Sequence, residues 1–257
     1  FSAGSFSLAY GTRYGYLSKV TSTGNILWIK KIDTNNIGSV AVDIDDNVYS
    51  GSSNGTLRKF DPDGNQVWIL TEHTNSILDL AVDSNGNVYS ASKDNTAKKV
   101  NSDGTEIWTF TGHTNTVFGI AVTNDNNYVY TTSNDGYVRK IDATTGNEIT
   151  SQKWPFYINS GFLIGVATDK NRNVYVTSGN QIVRKFNYLG YIQWTFTGFE
   201  SSYTYGVDID QNGDVYVGSG GNTVRKLDKE TGQELWVFNK NSQNTEGVSV
   251  DIYGYVY

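Results

Sequence analysis

The chain has 257 residues, 37% of them hydrophobic and 14% aromatic, with 27 Gly, 2 Pro, no Cys and a formal net charge of −6. Without cysteine, neither disulfides nor thiolate metal centres are available. An acidic balance with no dominant basic patch excludes the electrostatic footprint of a nucleic-acid binder, and no apolar run reaches the ~20 residues of a membrane-spanning helix.

Taken in order, Leu8 to Val20 (LAYGTRYGYLSKV) aligns without gaps to Val48 to Phe60 (VYSGSSNGTLRKF), with Gly11 on Gly51, Gly15 on Gly55 and Lys19 on Lys59. The N-terminus therefore enters a repeat at its second strand, B, followed by strand C through Val20, a turn at Thr23-Gly24 and strand D through Trp28. Short apolar runs then recur as the innermost strand, A: Ser39 to Asp43, Asp79 to Asp83, Gly119 to Thr123, Gly165 to Asp169 and Gly206 to Asp210. Such runs suit strands buried on both faces. Each leads into a hairpin turn (DIDDN, DSNGN, TNDNN, DKNRN, DQNGD) whose Asn, Asp and Gly supply the positive φ that tight turns need. The C–D turns (DPDGN, NSDGT, ATTGN, KETGQ) use the same chemistry.

The six Trp, namely Trp28, Trp68, Trp108, Trp154, Trp194 and Trp236, each close one copy. A lysine precedes each, at Lys19, Lys59, Lys99, Lys140, Lys185 and Lys226, and most copies hold a Tyr, at Tyr49, Tyr89, Tyr130, Tyr175, Tyr216 and Tyr257. A period of about forty residues with four strand-like runs is the signature of a propeller blade. The expectation is an all-β, six-bladed β-propeller of four-stranded antiparallel blades, one domain over 1–257. Gly247 to Asp251 (GVSVD) lacks a complete B, C and D after it, so the closing blade is expected to be shared between this C-terminal strand A and the N-terminal strands B–D. Tyr255-Val256-Tyr257 competes with that pairing, since it reads as the start of another strand B: either the tail frays, or Phe1 to Ser5 extends its edge, or the chain continues into a further blade.

The stretch VYVGSGGNTVRKLDKETGQELWVF at 215–238 resembles the repeat of PQQ-like propellers, in which a Thr-Gly turn precedes a Trp that docks between blades. GHTNT at 112–116 and NDGYVRKID at 134–142 resemble WD40 repeats, although Ile141 stands where that family has a Trp. The resemblance implies the architecture and leaves function open, because such folds host unrelated activities. Quinone-dependent enzymes of the PQQ group carry adjacent cysteines over the cofactor and a calcium site. This chain has no Cys, so no cofactor is expected.

Trp28, Trp68, Trp108, Trp154, Trp194 and Trp236 read as structure, each packed between neighbouring blades. His73 and His113, in equivalent D–A loops, read as loop hydrogen-bonding residues, since two His without a third ligand make a poor metal site. Asp208, Asp210, Asn212 and Asp214 alternate as in a calcium loop but lack the closing Glu, so no metal is expected; whether calcium binds that turn is left open. No nucleophile elbow, phosphate-binding loop or zinc signature occurs, and no catalytic residue is expected.

The informative places are where the repeat breaks. The loop after Trp154 carries Phe156, Tyr157 and Phe162, the loop after Trp194 carries Phe199, Tyr203 and Tyr205, and the first B–C turn carries Tyr14 and Tyr16. D–A and B–C loops emerge on one face of a propeller, so Tyr14, Tyr16, Phe156, Tyr157, Phe199, Tyr203 and Tyr205 form the expected ligand-binding set. Amphipathic rings beside Asn and Ser suit a protein epitope or a sugar ring, or they pack on one another at the channel mouth. The leading expectation is a non-catalytic binding module for a protein or glycan ligand, displayed on a cell, secreted or on a particle surface. The alternatives are a PQQ-like enzyme acting at the channel, with Asp208 as its acid, and an intracellular WD40-like assembly scaffold.

Overall fold

The computed structural model describes residues 3–4 (backbone only), 15–21, 24–32, 36–71, 73–158, 161–199, 203–239, 247–251 and 253–256. They contain strands and turns and no helix. The chain divides into two compact units, Phe1–Val117 and Phe118–Tyr257.

In the first unit, β1 (Ala3–Gly4), β2 (Gly15–Val20) and β3 (Ile26–Ile32) form a three-stranded sheet. β4 (Ile37–Val42) to β7 (Gln66–Thr71), through β5 (Val48–Ser52) and β6 (Thr56–Phe60), form a four-stranded meander. A second follows from β8 (Ile77–Val82) through β9 (Val88–Ser92) and β10 (Ala97–Val100) to β11 (Glu106–Phe110). The second unit holds three more: β12 (Val117–Val122), β13 (Tyr128–Ser133), β14 (Tyr137–Asp142) and β15 (Phe156–Tyr157); β16 (Leu163–Thr168), β17 (Val174–Ser178), β18 (Ile182–Phe186) and β19 (Ile192–Phe196); β20 (Thr204–Ile209), β21 (Val215–Ser219), β22 (Thr223–Leu227) and β23 (Glu234–Asn239). These six sheets are the blades expected of a six-bladed propeller, with sequential strands adjacent and antiparallel throughout.

The second strand of a blade is its most buried part: every residue of β5, β9, β17 and β21 is buried. In three blades one row of side chains repeats. Ala41 pairs with Tyr49, Tyr49 with Lys59 and Lys59 with Trp68. Ala81, Tyr89, Lys99 and Trp108 repeat the row, as do Ala167, Tyr175, Lys185 and Trp194. Side chains at paired positions share a face, so Tyr, Lys and Trp all face the same side of the sheet. The register slips immediately after the lysine, at Lys19, Lys59, Lys99, Lys185 and Lys226, and such bulges increase the local twist.

The six Trp do not share one environment. Trp108, Trp154 and Trp194 are buried, Trp28 and Trp68 are half-buried, and Trp236 is exposed. Trp108 packs its ring against Tyr89 of its own row, 5.9 Å between centroids, as Trp68 does against Tyr49. The expectation that all six are enclosed between blades is therefore corrected at Trp236, whose strand has every residue exposed.

The A–B turns show why Asp begins them. Asp43 accepts hydrogen bonds from the amides of Asp45 and Asn47 at 3.0 and 2.9 Å and from the Tyr49 hydroxyl at 3.0 Å. Asp46 takes φ 64°. Asp83 and Tyr89 repeat the arrangement, as do Asp169 and Tyr175.

Of the expected closing blade, β2 and β3 are the N-terminal strands C and D. Innermost in the N-terminal sheet is Ala3–Gly4, paired with Lys19 and Ser18, and the expected strand B from Leu8 falls outside the described residues. Among the described residues, the pairing made by the C-terminal run is local: Val250 bridges Val256. Asp251 accepts the amides of Tyr253 and Tyr255, both at 2.9 Å. That is the bonding of the Asp43 turn, so the run Gly247 to Asp251 leads into the same kind of turn as the other inner strands.

Candidate functional site

The blades of the second unit meet along their innermost strands. A Cβ added to Gly119 would lie 2.5 Å from the Ile164 carbonyl oxygen, and one added to Gly165 would lie 2.6 Å from that of Tyr205. Only glycine admits so close an approach. Threonines lock it: Thr132 Oγ1 donates to the Ile164 carbonyl at 2.8 Å, and Thr177 Oγ1 to that of Tyr205 at 2.6 Å.

This packing lines up aromatic side chains at the entry of the inner strands. Phe118 lies 6.2 Å from Phe162, Phe162 lies 5.1 Å from Tyr203, and Tyr203 lies 6.2 Å from Tyr205, centroid to centroid. Phe162 rests over Gly179, where a Cβ would come within 2.7 Å of the ring. Tyr203 is 46% exposed, and the other three are half-buried. Tyr157, 53% exposed, packs on Tyr137 at 4.9 Å. Rings in contact at tilted angles form a rigid apolar ledge with hydroxyls at its margin, suited to a partner with both apolar and polar groups.

Of the expected binding residues, Tyr157, Tyr203 and Tyr205 are thus accessible in the second unit, and Tyr16 is exposed in the first. Tyr14 lies outside the described residues. Two are corrected. Phe199 is 6% exposed, packed edge-on against Phe196 at 5.3 Å and covered by Arg225. Phe156 lies 4.8 Å from Phe186 against a core cluster. Both spend their rings on packing. Phe118 was absent from the expected set because it sits inside a strand rather than a loop. The available signal was its register: Leu78, Ile164 and Tyr205 occupy the same strand-A position.

The groups with possible reactivity are engaged in structure. His73 Nδ1 meets Asp94 at 2.8 Å and Nε2 meets Ser90 Oγ at 2.8 Å. The atoms follow the order of a hydrolytic triad, yet Ser90 is 1% exposed and His73 5%, so no substrate reaches them. Burial alone would raise the Asp94 carboxyl, but hydrogen bonds from His73, Thr96 and the Thr74 amide hold it well below the usual carboxylate range. His113 is likewise buried, edge-on to Phe110.

Asp208, which occupies the alanine position of the row, accepts from the amides of Ile209 and Val250, both at 2.8 Å, and from Ser249 Oγ at 3.3 Å. Burial raises its carboxyl against these donors. In the Asp210 turn, Lys226 Nζ sits 3.3 Å from Asp210 and 3.0 Å from Asp214, an ammonium in the place a cation would need. Among the described residues no group of three or more His, Asp or Glu is arranged to hold a metal. At the opposite end of these strands, a polar cavity of 590 Å³ is lined by residues including Asn171, Asn173, Gln193 and Gln211. Its Asp169 is saturated by Asn171, Asn173 and Tyr175.

Stacked four-stranded meanders with a Tyr–Lys–Trp row define a β-propeller with PQQ-like and WD40-like repeats. The chain belongs to the family whose model is described as "Outer membrane protein assembly factor BamB", which matches residues 53–157 and 134–253. Among solved structures it is similar to the WD40 β-propeller domain of Doa1, with TM-score 0.80 and 18% identity over 95% of this chain and 81% of that one. It is also similar to the computationally designed Ika8 protein, with TM-score 0.75 and 19% identity over 95% and 76%. No curated protein matches it. Among the described residues no helix is long and apolar enough to cross a membrane.

Proposed function

We propose that this chain is a non-catalytic binding module that engages a protein or glycan ligand through the ledge of Phe118, Phe162, Tyr203 and Tyr205. The observation that carries the reading is Tyr203, whose exposed ring is braced on one side by Phe162 and on the other by Tyr205. Aromatic anchors on a rigid scaffold dominate binding energetics at low entropic cost. The matching family model is described as an outer membrane protein assembly factor, which favours a protein ligand, and we read its location as a cell or particle surface. Against an enzyme stands Asp208: its carboxylate already accepts three donors.

Cell-surface binding and glycan arrays, read alongside thermal melting, test the reading. The double variant Phe162→Ala/Tyr203→Ala is expected to keep its fold and lose binding. Tyr188→Ala/Tyr191→Ala, which alters exposed rings of a C–D turn, is expected to bind as the parent does. Unchanged binding by the first variant would move the site elsewhere.

A further inference from the structure

Three successive A–B turns of the second unit, at 123–127, 169–173 and 210–214, contribute to the lining of the polar cavity of 590 Å³. That volume falls within the ~300–1,000 Å³ of small-molecule sites, yet Ile209 is its one large apolar residue.

The charges around this cavity balance, and those of its walls are engaged within the protein. Lys170, Lys185 and Lys229 stand against Asp169, Asp210 and Glu230. Asp169 accepts from the amides of Asn171 and Asn173, from the Asn173 side chain and from the Tyr175 hydroxyl. Asp210 accepts from the Asp214 amide, the Tyr216 hydroxyl and Lys226. Lys185 Nζ donates to the Lys229 carbonyl at 2.6 Å, and Lys229 Nζ donates to the Asn212 carbonyl at 2.7 Å. These two bonds tie one C–D turn both to the neighbouring blade and to its own A–B turn, so the walls are set before a ligand arrives.

What remains for a ligand is neutral amide. Asn124, Asn171, Gln211 and Asn212 are exposed, and their side chains enter no hydrogen bond among the described residues. A carboxamide presents a donor beside an acceptor, which matches the neighbouring hydroxyls of a sugar ring, each able to donate and accept. An ionic ligand would meet walls whose countercharges are already paired, and an apolar ligand would meet almost no apolar surface.

The geometry points to a site for a free neutral sugar of one or two rings, held by Asn124, Asn171, Gln211 and Asn212 at the end of the inner strands opposite the aromatic ledge. It takes a small solute, and it stands or falls independently of the ledge.

Isothermal titration and saturation-transfer NMR on the full chain test this. The probes are glucose, galactose, mannose, N-acetylglucosamine, maltose and lactose, with glucuronic acid and glucosamine as charged counterparts. At least one neutral sugar is expected to bind saturably, and both charged sugars to bind more weakly than it does. Asn171→Ala/Gln211→Ala keeps the Asn171 backbone amide on Asp169. It is expected to weaken binding about tenfold, with circular dichroism and melting temperature unchanged. Phe162→Ala/Tyr203→Ala is expected to bind the sugar as the parent does. No saturable binding of any neutral probe, a charged sugar bound as tightly as the neutral one, undiminished binding by Asn171→Ala/Gln211→Ala, or loss of binding in Phe162→Ala/Tyr203→Ala would each overturn the inference.

Discussion

Lys185 and Trp194, neighbours across β18 and β19, donate to the same oxygen: the Lys229 carbonyl of the next blade, at 2.6 and 3.0 Å. Lys59 and Trp68 do the same on Ser102, and Lys140 and Trp154 on Tyr188. The ammonium also lies over the row's tyrosine, 5.5 Å from the Tyr175 centroid and 5.3 Å from that of Tyr49. A charged and a neutral donor thus converge on one carbonyl, while the indole stacks on the turn. A blade that buries too little area alone is stabilised by its neighbour.

The cost of removing a Trp is expected to follow its burial. Trp108→Ala, Trp154→Ala and Trp194→Ala, at 8%, 3% and 8% exposure, should cost about 3–5 kcal/mol each. Trp236→Ala, at 40%, should cost about 1 kcal/mol. Urea midpoints measure the series, and equal costs at all four sites would refute the staple.

The blade of Tyr130 breaks the tyrosine–aspartate bond. Thr123 stands where Asp43, Asp83 and Asp169 stand, its hydroxyl is bonded to Asp125, and the buried Tyr130 hydroxyl has no hydrogen-bond partner. Tyr89→Phe, which deprives Asp83 of a donor, should cost about 1–2 kcal/mol, whereas Tyr130→Phe should be neutral or stabilising. Denaturation of the two single variants distinguishes them.

The blade of Arg184 lacks a carboxylate that others carry. Arg139 pairs with Glu148, Arg225 with Glu234 and Lys98 with Glu106. In the blade of Arg184 the position of that Glu is held by Ile192, which pairs with Phe186, and the buried Arg184 Nη1 has no hydrogen-bond partner. Ile192→Glu is expected to raise stability by about 1 kcal/mol, and in Arg184→Met the same change should bring no gain.

The sheet pattern, the turns and the Trp positions were legible in the sequence because each repeat restates them with the residues its geometry requires. The recurring Lys was visible too, but its shared acceptor was not, since that carbonyl lies on the next blade and any residue can supply it. Loop aromatics were harder to read. Phe199 and Tyr203 are four residues apart, yet one is sealed under Arg225 and the other exposed. Composition cannot tell which way a loop ring turns, and Phe118 was hidden in a strand whose partners lie in other blades.

Acid is expected to weaken the fold through Asp94. Its folded value lies below the ~4 of an unfolded Asp, held there by His73 and Thr96 against burial. The folded state therefore binds fewer protons than the unfolded chain in this range, and the contribution is fully present above about pH 4 and is lost as pH falls. Urea midpoints between about pH 5 and about pH 2 should fall less steeply in Asp94→Asn. An unaltered slope would contradict the His73–Asp94 assignment.

The most direct test of the binding face is amide hydrogen exchange of the full chain with and without a ligand recovered from the cell-surface or glycan screen. Protection is expected at 161–165 and 203–207, around Phe162, Tyr203 and Tyr205. Protection confined to the polar cavity at the other end, around Asn171 and Gln211, with none at Phe162 or Tyr203, would contradict it.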